Sequence, residues 1–172
     1  DGQCSEIDSF SVTVTIPLAS IIGKDTLCVG TAFNLQGSGG GAYMWNTGST
    51  NSLINDIANV DTTYSLVTSM GLCSDTAYHA IVVVPYPIAQ VSNDTLIAGG
   101  TSFNLLAAGG TSYSWFPPGG LSCIGCPNPV ATPEVTTTYY VIVSNGNGCT
   151  SMDTVTITVD LLCKKIFIPN AF

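Results

Sequence analysis

Gly148-Cys149-Thr150-Ser151-Met152-Asp153-Thr154-Val155-Thr156-Ile157-Thr158-Val159 is the stretch whose reading decides the fold. A Gly-Cys turn leads into apolar residues at every second position, the period of a half-buried strand. Gly2-Gln3-Cys4-Ser5-Glu6-Ile7-Asp8-Ser9-Phe10-Ser11-Val12-Thr13-Val14 and Gly71-Leu72-Cys73-Ser74-Asp75-Thr76-Ala77-Tyr78-His79-Ala80-Ile81-Val82-Val83 repeat the pattern. A closing strand that returns after about 70 residues marks a tandem array of small all-β domains. The expected division is residues 1–19 as the last strand of an upstream repeat plus linker, 20–86 and 87–162 as complete repeats, and 163–172 as a linker opening a further domain. On this reading the chain is a piece of a longer protein.

Working back from that strand, the two repeats share ordered landmarks. Asp25-Thr26-Leu27-Cys28 is answered by Asp94-Thr95-Leu96-Ile97, Phe33-Asn34-Leu35 by Phe103-Asn104-Leu105, Tyr43-Met44-Trp45 by Tyr113-Ser114-Trp115, and Thr62-Thr63-Tyr64 by Thr137-Thr138-Tyr139. Turn signals about every 8 to 12 residues, with no helical period, predict tandem immunoglobulin-like β-sandwiches. Trp45 and Trp115 are expected to pack between the sheets. The competing reading, a sugar-stacking platform, requires an indole face in solvent.

Three lysines, no arginine and eleven carboxylates give a net charge of -8. Nucleic-acid binding is excluded as a reading, because no basic stripe exists to neutralise phosphate, and an anionic membrane surface would repel the chain. The apolar run from Ala80 to Val84 is far below the roughly 20 residues of a spanning helix, so direct membrane insertion is not expected.

Seven cysteines point to an oxidising compartment. Cys28 on an early strand and Cys73 at the head of the closing strand are expected to pair, closing a loop of about 46 residues worth roughly 4 kcal/mol. Ile97 takes the place of Cys28 in the second repeat, which leaves Cys149 free or sharing with Cys123-Ile124-Gly125-Cys126. A CxxC serves redox chemistry, half a zinc site or a loop clasp. Pro127, Pro129 and Pro133 preclude the following helix that a redox thiolate uses, and a single histidine leaves zinc short of ligands, so the clasp is preferred. Cys149 and Cys163 flank an extended strand roughly 45 Å long and cannot join. Cys4 is expected to pair upstream, and Cys163 beyond the chain.

No motif carries catalytic chemistry. His79 falls on the inward parity of its strand as a rim residue, and residues 37–41, all glycine but for Ser38, lack the Lys-Ser/Thr of a phosphate loop and read as a hairpin. Asp8, Asp75 and Asp153 recur in the closing strand, and Asp25 and Asp94 in an early one. Calcium at repeat junctions is weighed against turn and cap roles, and the latter are preferred because no DxDxDG run occurs. No cofactor, metal or catalytic residue is assigned.

The order Trp115, Pro117, Gly120-Leu121, Asn128-Pro129-Val130-Ala131-Thr132-Pro133, Thr136-Thr137-Thr138-Tyr139, Gly148-Cys149 and Asp153-Thr154-Val155 resembles the PKD/Ig-like repeats of very large surface proteins in Bacteroidota. Ile166-Phe167-Ile168-Pro169-Asn170-Ala171-Phe172 resembles the opening of the gliding-motility-associated C-terminal domain, the type B sorting signal of type 9 secretion cargo. The resemblance implies PKD-like sandwiches in a SprB-like cell-surface adhesin, attached outside the outer membrane. Its implied partners are the outer-membrane shuttle or translocon and surface attachment proteins, with surface polysaccharide as a further ligand class. The alternative it carries is an accessory carbohydrate-binding or spacer module of a secreted polysaccharide-degrading enzyme, marked by an exposed row of Tyr43, Tyr113 or Phe116. It also implies O-glycans at Asp-Ser/Thr-apolar sites, which here are Thr26, Thr76, Thr95 and Thr154. The competing reading is that Asp-Thr simply starts strands.

Overall fold

Alternating runs rich in Thr, Val and Ile suit a pleated, half-buried surface. In the computed structural model, which describes residues 15–161, every regular element among those residues is a strand. Contacts group the chain into two units. One takes the described residues up to Asp25 together with Ala32–Val82, and the other takes Thr26–Thr31 together with the described residues from Val83 onward.

In the first unit, β1 (Ser20–Ile22), β3 (Ala32–Ser38) and β5 (Leu53–Ile57) form an antiparallel sheet in the order β1-β3-β5. A second sheet, in the order β2-β7-β6-β4, takes β4 (Ala42–Trp45), β6 (Thr62–Met70) and β7 (Cys73–Val84) together with β2 (Thr26–Cys28), the strand whose contacts group it with the second unit. Trp45 lies opposite Leu66, and Leu66 opposite Ala77. Leu35, Trp45, Tyr64 and Leu66 fill the core.

The second unit repeats the plan with β8 (Gln90–Val91), β9 (Thr95–Ala98), β10 (Phe103–Asn104), β11 (Ala107–Ala108), β12 (Ser112–Phe116), β13 (Val130–Ala131), β14 (Thr137–Ser144) and β15 (Thr150–Asp160). One sheet runs β12-β14-β15-β9, with β9 parallel to β15. The other is broken into the pairs β8 with β11 and β10 with β13. Between these pairs, Leu105 and Ala107 donate their N–H groups to the carbonyls of Pro129 and Pro127 at 2.9 and 2.7 Å. A proline has no N–H to return, so the ladder is made from one side only. The strand order and the tryptophan on the strand beside the closing hairpin are those of an immunoglobulin-like sandwich in each unit.

Register corrects two alignments made from sequence. Trp115 lies opposite Val141, and Val141 opposite Asp153, so Asp153 is the counterpart of Ala77. Cys149 therefore matches Cys73, and the counterpart of Asp75 is Ser151 rather than Asp153. Likewise Leu27 and Ile97 are the buried members of their strands, and Thr31 N–H donates to Cys28 as Thr101 N–H does to Ala98. Ala98, not Ile97, stands where Cys28 does.

Gly39 and Gly109 have φ of 109° and 101°. A Cβ there would lie 1.6 and 1.8 Å from the carbonyl oxygens of Leu18 and Ile88, so only glycine lets each linker run this close.

Among the described residues, Thr68 is the buried side chain whose polar atom lacks a partner. It occupies the place of the buried Val143, is fully buried, and its Oγ1 has no hydrogen-bond partner. An unsatisfied hydroxyl costs about 1–3 kcal/mol, whereas an apolar group of the same shape does not. Thr68→Val should therefore stabilise the first unit by about 1 kcal/mol in a denaturant titration, and Val143→Thr should destabilise the second by at least as much.

Candidate functional site

The cysteines hold the main departure from expectation. Cys28 is bridged to Cys149, with 5.7 Å between their Cα atoms, and not to Cys73. The reason lies in strand direction. Val82 N–H donates to Asp25 O and Val29 N–H to Val84 O, so the chain around Cys28 runs beside the far end of β7. Cys73 opens that strand, about 35 Å away along an extended chain. A Cys28-Cys73 bond is excluded while β7 is intact. Cys73 is exposed and is the unbridged cysteine among the described residues, whereas its counterpart Cys149 is 1% exposed.

Around Cys149 the second unit fastens the segment that leads into it. Asn145 Nδ2 donates to Pro85 O at 3.1 Å, Ser151 Oγ donates to Pro87 O at 2.7 Å, and Ala89 N–H donates to Ser151 Oγ at 3.1 Å. Val91 N–H donates to Asp153 Oδ2 at 3.1 Å. In the first unit, Ala19 N–H donates to Asp75 Oδ2 at 2.8 Å. Asp75 and Ser151 thus do the same job from matching positions, seating Pro17-Leu18-Ala19 and Pro87-Ile88-Ala89. Asp94 accepts from Thr156 N–H at 2.8 Å. Asp75, Asp94 and Asp153 are accordingly backbone acceptors, and among the described residues no three metal-ligating side chains gather.

Cys123 and Cys126 are bridged to each other in the loop before β13. That loop holds the tryptophan from both sides: Trp115 Nε1–H donates to Cys126 O at 2.9 Å, and Trp115 N–H to Ile124 O at 2.8 Å. In the first unit Trp45 Nε1–H donates to Asn51 O at 2.8 Å. Trp45 and Trp115 are 1% and 0% exposed, which removes the stacking platform.

The other aromatic candidates do not form a row. Tyr43 and Tyr113 share the inward parity of the tryptophans, and Tyr113 packs against the core with its hydroxyl donating to Gly110 O at 2.9 Å. Phe116 points to the other face and stacks on Tyr140, with ring centroids 5.4 Å apart and planes at 18°. Each ring thereby covers a face that a sugar would need. Thr26, Thr76 and Thr154 are exposed on their strands and Thr95 is half-buried. His79 Nε2 lies 3.6 Å from Asp25 Oδ1 and 3.3 Å from Lys24 O. Residues 166–172, Cys4 and Cys163 lie outside the described residues.

The repeated Thr-Thr-Tyr landmark places a corner tyrosine in each unit, a role the sequence reading left unassigned. Tyr139 hydroxyl donates to Gly119 O at 2.8 Å. Tyr64 hydroxyl donates to Asp56 Oδ2, and its ring meets Phe33 edge-on at 5.9 Å. Each tyrosine borders a shallow cleft, of about 260 Å³ beside Tyr64 and about 340 Å³ beside Tyr139. One carboxylate lines each, Asp56 and Glu134 respectively, where glycoside hydrolysis would use a pair. Tyr64 and the Ile57 N–H hold Asp56 below the usual carboxylate range. Burial, then the hydrogen bond and charge of Asp56, push Tyr64 from 10.0 up to about 12. Burial also raises Tyr139.

No protein-family model matches the chain, and no curated protein matches it. Among solved structures it is similar to extracellular domains 3–5 of Drosophila OTK, at 11% identity and a TM-score of 0.47, over 84% of this chain and 63% of that one. It is similar to the I-band fragment I67–I69 of titin at 12% identity and a TM-score of 0.46, over 86% of this chain and 66% of that one. The N-terminal eight Ig domains of Down Syndrome Cell Adhesion Molecule are similar at 13% identity and a TM-score of 0.44, over 84% of this chain and 25% of that one.

Two outcomes follow from these contacts. Cys28→Ser and Cys149→Ser should each lower stability by up to about 5 kcal/mol, the chain-entropy value for so long a loop. The double variant should lose no more than either single one, and Cys73→Ser should leave the stability of this chain unchanged, all read from thermal or denaturant melts. For Tyr64 the folded value is raised, so its contribution is complete below pH 10 and is lost as pH rises through 10 towards about 12. Tyr64→Phe should flatten that part of the first unit's alkaline stability loss, leaving the Tyr139 share in the second unit. Asp56 works in the opposite direction, its contribution vanishing as pH falls through its lowered value.

Proposed function

We propose that this chain forms structural stalk repeats of a large secreted cell-surface adhesin of gliding motility or surface attachment. On this reading it is not an enzyme. The observation that carries the proposal is one sandwich plan built twice in tandem, with the segment leading into the second copy fastened by hydrogen bonds to Pro85 and Pro87 beside the Cys28-Cys149 bond. A spacer needs fixed, repeated units more than it needs a cleft. The disulfides fit an oxidising, extracellular setting. Export by the type 9 secretion system rests on the resemblance of residues 166–172 to its sorting signal, and so do the shuttle, translocon and attachment partners.

The test is antibody labelling of intact cells. Surface label that external protease removes, and that disappears from the surface when the type 9 translocon is disabled, is the expected result. Label confined to the cell interior in translocon-competent cells would overturn it. Specific binding of the isolated chain on a glycan array would instead favour the carbohydrate-binding alternative.

A further inference from the structure

We propose that in the complete protein Cys73 is bridged to a cysteine of the repeat upstream, at the position equivalent to Cys28. The cysteine heading each closing strand would then fasten the early strand of the repeat before it. Three observations converge. Register makes Cys73 and Cys149 counterparts, and Cys149 is bonded to Cys28, which lies 121 positions before it, on the early strand whose counterpart position in the second repeat is Ala98. The segment leading into each unit is seated alike, with Ala19 N–H on Asp75 and Ala89 N–H on Ser151, two residues beyond the cysteine in both cases. The close approach of that segment to the paired glycines Gly39 and Gly109 is also repeated. The seating of the leading segment beside Cys149 is therefore repeated beside Cys73, which is exposed where Cys149 is covered.

Residues 2–14 repeat the closing strand of such an upstream unit. The repeat period places the partner cysteine about 70 residues N-terminal to Cys28. The second repeat carries Ala98 at that position, so the bridging series does not continue from it. Bond formation converts two thiols to one disulfide and releases two protons and two electrons. The oxidant is the disulfide of a thiol–disulfide oxidoreductase of the oxidising compartment, which is itself reduced to a dithiol through a mixed disulfide with the substrate protein.

The inference depends on the repeat geometry and not on the export route, so cell-surface labelling and the following experiment fail separately. Full-length protein from its native source is alkylated without reduction, digested and mapped by mass spectrometry. A peptide containing Cys73 linked to one whose cysteine lies about 70 residues before Cys28 is the expected product. Alkylated Cys73 in the unreduced protein, or a link from it to Cys4, to Cys163 or to another molecule, overturns the proposal. A Cys73→Ser full-length variant supplies the second readout. It should expose one additional alkylatable thiol, upstream of residue 1, while the Cys28-Cys149 peptide persists; no added thiol there, or one within residues 1–172, counts against it.

Discussion

Cross-strand pairing of the last two strands is the constraint on which each unit depends. Thr62 to Met70 pair with Ile81 back to Cys73, and Thr137 to Ser144 with Ile157 back to Thr150. Because side chains alternate, a slip of one residue would turn Leu66, Val141, Val155 and Ile157 from core to solvent. Everything else is positioned against this hairpin. The tryptophan strand pairs with one side of it, the corner tyrosine stands near its start, and the short early strand is added along its outer edge.

Much of this is legible in the sequence, since alternation specifies strands and the repeated Trp and Thr-Thr-Tyr landmarks specify where the core lies. The tyrosines show how a landmark can be read without its role. The repeated triplet was visible, but the partners Asp56 and Gly119 lie on other segments and only folding brings them close. Asp75 and Asp153 show the opposite failure. Both follow a cysteine and begin an Asp-Thr pair, yet register sets them two positions apart, and a serine performs in one unit what an aspartate does in the other.

The cysteines were misread for a geometric reason. Position along the sequence suggested that an early strand and the head of a late one face each other. In the second unit β9 runs parallel to β15 and joins it near its far end, Ile157 to Asp160. The chain around Cys28 meets Val82 and Val84 in the same sense. Parallel pairing leaves little local signature, so the end of the strand at which Cys28 would arrive could not be read from residue types. The CxxC is different, because its neighbouring prolines already argued for a loop, and the loop's carbonyl at Cys126 is what the buried indole uses.

The Cys28-Cys149 bond spans 121 positions of sequence, and that length has a mechanical meaning. When the chain is drawn out by its two ends, tension crosses from Cys28 to Cys149 through sulfur and bypasses the residues between them. About 400 Å of potential extension is thereby held in reserve. It becomes available only when the bond is reduced, so the reach of this part of the protein is set by redox chemistry rather than by the strength of either sandwich.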